Sequence, residues 1–252
     1  MRKRILMALL CGALVCLPLA GCNTGNNSNT SESAQSEASA STETKTTNNK
    51  NSNQEYTDEV FAMDTYMTLT AYGENAQEAV EAGIAEIQRL DDLLSTGKET
   101  SEVAQINQNG GGVLSEDTEY LVKRALDIYQ STNGAFDISI YPVMQLWGFT
   151  TGNFAVPGES DLAAKLALVD AGKITLSEEN GQTSINLPEG MEIDLGGIAK
   201  GYTSGRVMEV MKSYGIESAV INLGGNAHVL GNKTDGSQWK VGIQDPNNTD
   251  GF

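Results

Sequence analysis

The stretch DLGGIAKG, residues 194–201, separates two different periodicities. Before it, MEID alternates apolar and polar residues as a half-buried strand does; after it, YTSGRVMEVMKSYG repeats apolar residues at helical spacing up to Gly215. The two glycines are therefore expected at a strand-to-helix turn. Such a turn presents free backbone N–H groups, and glycine lets a ligand approach the main chain closely. Two readings fit this segment alone: a cradle for a phosphate, or a tight connection whose lysine is merely solvated.

Working outward, SAVINLGGNAHVLG and QWKVGIQDP downstream read as strands, and upstream KITLSEE, TSINLP and MEIDL read as three short strands between Gly and Asn turn signals. TYMTLTAYG, ending at Gly73, reads as a first strand. A long helix follows, with Ala79, Val80, Ile84, Ile87, Leu90 and Leu94 on one face and Glu78, Glu81, Glu86 and Asp91 opposite. A second helix runs from Glu116 to Thr132, capped by Ser115, with Leu121, Val122, Ala125 and Ile128 as its stripe. GAFDISIYPVMQLWGF has a less regular pattern, and a short helix is expected from Asp161 to Val169. The sum is an α+β domain with mixed, mostly antiparallel sheets and packed helices.

The ends of the 252-residue chain read differently. Arg2, Lys3 and Arg4 precede an apolar run from Ile5 to Leu19, shorter than the roughly 20 residues of a membrane span, which marks an export signal. The run closes on Leu19-Ala20-Gly21-Cys22, which resembles the bacterial lipobox, so residues 1–21 are expected to be removed and Cys22 to carry lipid. Residues 22–55 hold almost nothing apolar and read as a disordered, lipid-anchored tether, with the folded body at 56–252 on the extracytoplasmic side of the bacterial cell membrane. Cys11 and Cys16 fall inside the signal, which leaves no disulfide or thiolate metal site. Without the signal, thirteen basic residues face 33 acidic ones. Such a body repels nucleic acid and anionic lipid, so a phosphate ligand needs backbone donors, particular lysines or a divalent cation. After Gln244-Asp245-Pro246 the chain stops in a loop, and the sequence is expected to be a fragment.

Several chemistries drop out. The single histidine, His228, supplies neither a zinc cluster nor a triad and reads as structural. Neither the dinucleotide fingerprint nor the P-loop pattern occurs, and Gly110-Gly111-Gly112 reads as a turn. What remains is a series of short motifs in which small residues stand beside aromatics and carboxylates, as a flat ring would require. In order they are Met63-Asp64-Thr65; Leu94-Ser95-Thr96 with Ser101-Glu102 and Ile106-Asn107; Gly134-Ala135-Phe136-Asp137; Leu146-Trp147-Gly148-Phe149; Asp194 to Tyr202; and Asn222-Leu223-Gly224-Gly225-Asn226.

This succession, from Phe61 to Pro246, resembles the ApbE family of FAD:protein FMN transferases, commonly exported lipoproteins. The resemblance implies a T-fold-like architecture and magnesium-dependent phosphoryl transfer, in which FAD is cleaved and FMN is joined to a threonine or serine of an exported acceptor protein, releasing AMP. It implies that Met63, Ala135, Phe136, Asp137, Asp194 and Lys200 bind FAD and that the Gly197 carbonyl is a metal ligand. Gly97 stands where many relatives carry a tyrosine, so one aromatic contact to FAD is expected to be lost or replaced. The family's side-chain metal ligands lie in a C-terminal segment beyond Phe252. The catalytic groups are expected there, and the chain as it stands is expected to bind magnesium poorly and to turn over slowly or not at all. The competing reading is a non-catalytic lipoprotein that holds FAD or another nucleotide.

Overall fold

Strands Glu55–Ala62 (β1) and Thr65–Tyr72 (β2) form a hairpin in full register, from Glu55 opposite Tyr72 to Ala62 opposite Thr65. The alternation in TYMTLTAY is why β2 is a central strand: Met67, Leu69 and Ala71 are fully buried on one face. The computed structural model describes residues 54–248, all within one compact unit. Helix Ala76–Leu94 (α1) follows, then Glu102–Asn109 (α2), the short strand Gly111–Val113 (β3) and helix Glu116–Ser131 (α3). A 3₁₀ turn at Ile138–Ile140 leads into Tyr141–Leu146 (α4) and Glu159–Leu166 (α5). Strands Thr175–Glu179 (β4) and Gln182–Asn186 (β5), helix Gly196–Ser213 (α6), and strands Ser218–Leu223 (β6) and Asn226–Leu230 (β7) complete the order.

Every pairing in the two sheets is antiparallel, with orders β1-β2-β6-β7 and β3-β5-β4. The α+β reading therefore holds. Two cores divide the interior. In one, α1 and α6 lie on the larger sheet and bury Val80, Ile87, Val207 and Met211 against Leu69 and Ile221. The other joins α2, α3 and the smaller sheet through Val103, Ile106, Leu121, Ile185, Ile193 and Leu195. The C-terminal turn of α1 adds Leu90 and Leu94 to this second core, so α1 belongs to both.

Two expected strands do not form. MEIDL, residues 191–195, does bury Met191, Ile193 and Leu195 alternately, as a strand would. Its peptide groups, however, bond to the Asn107 side chain and the Ile138 carbonyl instead of a neighbouring strand. QWKVGIQDP pairs with no described strand, and its Val241 and Ile243 are exposed. The glycine triplet is more than a turn: Gly110 caps α2 with left-handed backbone, and Gly111 and Gly112 belong to β3. Ser115 occupies the N-cap position of α3, but its hydroxyl meets the Thr118 hydroxyl rather than a backbone N–H. Cys22, the signal and most of the tether lie outside the described residues.

Candidate functional site

Asp194 sits at the entrance to α6, and three separate bonds fix it there. Its backbone N–H donates to the Ile138 carbonyl at 2.8 Å. One carboxylate oxygen accepts from the Gly196 N–H at 2.8 Å, and the other accepts from the Thr96 hydroxyl at 3.5 Å. Burial pushes the Asp194 carboxyl above its ordinary value; the Gly196 N–H, the Thr96 hydroxyl and the Lys200 charge oppose that shift, while Asp64 reinforces it. Asp194, Lys200, Thr96 and Asp64 thus share one electrostatic neighbourhood, drawn from three places in the chain.

The glycine pair lies in the first turn of α6, one step further into the helix than a strand-to-helix turn would put it. The Ile198 and Ala199 N–H groups both donate to the Leu195 carbonyl, and Gly196 is bound to Asp194. The Gly197 N–H is left without a partner among the described residues, at the end of the helix where partial positive charge gathers. The Phe136 ring packs directly on Gly197: a Cβ there would come within 2.9 Å of ring carbon Cε2. This contact, together with the Asp194–Ile138 bond, brings the 134–137 and 194–201 motifs into one site.

Ala135, Phe136 and Asp137 line an open hollow of about 560 Å³ with Tyr129, Gly134, Ile140, Val169 and Asp170. Asp137 is bound at both ends within it. One oxygen accepts from the Ser139 N–H and hydroxyl at 2.8 and 2.6 Å, and the other from the Ala171 N–H at 3.1 Å. Its carboxylate shapes the wall of the hollow. The Tyr129 hydroxyl donates to Asp170 at 2.8 Å and closes the far side.

Met63 and Asp64 form the two-residue turn of the β1–β2 hairpin, with φ of 49° and 59°. Left-handed backbone at both positions suits the twist of a tight hairpin but costs an L residue about 1–2 kcal/mol. The Asp91 carboxylate holds the turn by accepting from the Met63 N–H at 3.0 Å, and the Thr203 hydroxyl lies 3.8 Å from the Met63 sulfur. The Gly224-Gly225 turn stands at the same end of the sheet, because Met67 pairs with Leu223. Gly224 has φ of +62°, and a Cβ on it would come within 2.4 Å of the Thr65 hydroxyl. Asn222 caps this turn by accepting from the Gly225 N–H at 2.7 Å. His228 is exposed on β7 with Nδ1 3.4 Å from the Ser204 hydroxyl. Trp147 stacks on Phe149 at 6.3 Å, and Phe149 meets Phe154 at 6.0 Å, a separate aromatic group on the α4–α5 connection.

Asp91, Tyr129 and Asp170 take part in the site without having been marked as site residues by sequence, and Thr96 was marked only as part of the Leu94-Ser95-Thr96 motif. Their contacts join positions 28 to 98 residues apart, which no local pattern encodes. Among the described residues, no group of three or more His, Cys, Asp or Glu side chains could hold a metal ion.

The ApbE family model matches residues 63–251. The FAD:protein FMN transferase of Klebsiella pneumoniae strain 342 is 34% identical over 163 residues, covering 64% of this chain and 49% of its own. The Treponema pallidum transferase is 27% identical over 218 residues, with 78% and 59% covered. The crystal structure of the Thermotoga maritima ApbE protein superposes with a TM-score of 0.72 at 28% identity, over 79% of this chain and 66% of that one. The Vibrio cholerae flavin transferase ApbE gives a TM-score of 0.68 at 26% identity, over 77% and 65%. The chain spans about half the length of the curated relatives it matches.

Proposed function

Because the chain belongs to the ApbE family, we propose that it takes FAD as substrate and transfers the FMN half to a threonine or serine hydroxyl of an exported acceptor protein. The hydroxyl oxygen would form a bond to the FMN phosphorus, the pyrophosphate P–O bond would break, and AMP would leave while the hydroxyl proton passes to a base. The observation that carries this reading is the packing of Phe136 on Gly197. It sets an aromatic wall beside a helix start whose N–H group is free and whose second turn carries Lys200.

Under this reading Lys200 and the Gly197 N–H meet the phosphates, as a helix N-terminus meets anions. Phe136, Ala135 and Met63 take the apolar part of the nucleotide, and Asp194 accepts hydrogen bonds from it. Asp137 acts through the Ser139 and Ala171 bonds that keep the Phe136 loop in place.

Magnesium fits the described residues poorly. A lone Gly197 carbonyl in the positive first turn of a helix is not an octahedral oxygen site, so no step is routed through the ion here. The competing reading is a protein that holds FAD without transferring it. We place the protein outside the cytoplasm, anchored through lipid on Cys22. The anchor in this proposal rests on the Leu19-Ala20-Gly21-Cys22 lipobox; among the described residues no helix is long and apolar enough to cross a membrane.

The test is incubation of the protein with FAD, magnesium and a threonine-bearing acceptor, followed by intact mass measurement. An acceptor heavier by one FMN supports transfer. FAD binding with no mass gain, while a full-length relative transfers to the same acceptor, supports the holding role. Absence of FAD binding overturns both.

A further inference from the structure

Asn107 lies in the last turn of α2, and its side chain reaches the backbone of a residue 86 positions away. The amide nitrogen donates to the Ile193 carbonyl at 2.8 Å, and the amide oxygen accepts from the Ile193 N–H at 2.7 Å. One side chain thereby supplies both bonds that a neighbouring strand would give. The Ile193 side chain is fully buried, so its peptide group needs partners from the protein. The next residue is Asp194, whose N–H is bound to Ile138 and whose carboxylate faces Thr96, Gly196 and Lys200. Among the described residues no strand pairs with the segment 191–195, so the Asn107 side chain stands where a neighbouring strand would bond.

We infer that Asn107 is a positioning residue for flavin binding: its amide clamps the Ile193 peptide and thereby sets the direction in which the Asp194 carboxylate enters the site. This rests on the reading of the site as an FAD site. Asn107 touches no ligand itself and acts only through the backbone it holds. Asparagine suits the task because its amide offers one donor to the Ile193 carbonyl and one acceptor to the Ile193 N–H, as the backbone of a residue in a neighbouring strand would. Aspartate keeps the shape but has no donor, so it would set a carboxylate oxygen against the Ile193 carbonyl.

The experiment is a double-mutant cycle in the full chain, with FAD affinity measured by flavin fluorescence and amide exchange followed at Ile193 and Asp194 without ligand. Asn107→Asp is expected to weaken FAD binding about tenfold when Asp194 is present and less than about twofold when Asp194 is already Asn, the non-additivity of residues that act as a unit. Ile193 and Asp194 should lose protection from exchange while the core of α6 keeps it. Asn107→Ala, which leaves room for water at both bonds, provides the same cycle if the aspartate variant does not fold. Equal losses in both backgrounds, or a lower melting temperature with unchanged affinity, would overturn the proposal and make Asn107 a general stabiliser. If the unmutated chain binds no FAD, the flavin reading falls, and unchanged exchange at Ile193 in the variants then sinks the clamp on its own.

Discussion

Asp194 pays for its position in stability, and the sign of that cost can be worked out. Its folded pKa is raised, first by burial, so the folded state holds the proton more tightly than the unfolded chain does. The favourable contribution is complete below the unfolded value and is lost as pH rises through the folded one. At neutral pH the ionised carboxylate is therefore a burden on the fold. Asp194→Asn keeps an acceptor for the Gly196 N–H and removes the buried charge. It is expected to raise the melting temperature at pH 7, by an amount that shrinks as pH falls towards 4, while FAD affinity drops; a melting temperature lowered at pH 7 would contradict this. Gly197 offers a second separation of stability from function. Alanine gains about 1 kcal/mol over glycine in a helix. Its methyl would meet the edge of the Phe136 ring, a side chain that can turn aside. Gly197→Ala should leave thermal stability near that of the parent and still weaken FAD binding about tenfold, the scale of a lost or displaced aromatic contact.

At the scale of elements, the strained hairpin between β1 and β2 makes its own prediction. Asp64 has φ of 59°, and glycine adopts this conformation without the steric cost. Asp64→Gly should stabilise the chain by about 1 kcal/mol in urea unfolding, less the entropy glycine adds to the unfolded state. A destabilised variant would show that the aspartate side chain contributes to the turn. The elements legible in the sequence were those carrying their own periodicity. α1, α3, α6, β2, β4 and β5 were expected from the spacing of their apolar residues, and in α1, α3 and β2 most of the buried residues are ones that spacing marks. β1 was missed because Thr57, Asp58 and Glu59 put three polar residues in a row between Tyr56 and Val60 and hide any alternation; as an edge strand it has one neighbour, β2, and little need of a buried face. The α2 helix was missed for its length, and α4 because its aromatics and Pro142 hide a single helical turn and a half. MEIDL misled because alternation records which side chains are buried, and it is silent about what satisfies the backbone. Of the site, the motifs and their order could be read directly. The bonds that join them, Asn107 to Ile193 and Phe136 to Gly197, depend on the fold.

For the whole molecule, the question is what keeps two separate cores from moving independently across the site. Met63 packs against both, and α1 and α6 run from one to the other. On their outer surface a polar network does the same work. Arg89 of α1 bonds Glu86 and also Asp117 of α3, while Arg206 of α6 reaches the same Glu86. The arginine hydrogen bond first, and the two positive charges with it, hold the Glu86 carboxyl below its ordinary value despite burial. A depressed folded pKa gives stability that is present above the unfolded value and is lost as pH falls through the folded one. Arg89 is nearly half exposed, so solvent screens its ion pairs, and Arg89→Ala should cost about 1 kcal/mol. The larger effect should fall on coupling. With the link from α1 to α3 removed, amide exchange in α3 should quicken relative to the larger sheet, and added salt should reproduce part of that change in the parent. The loss should be greatest near neutral pH and should fade in acid, where Glu86 is protonated in parent and variant alike. Equal quickening throughout both cores would mean that the network stabilises the fold globally and that the two cores already move as one.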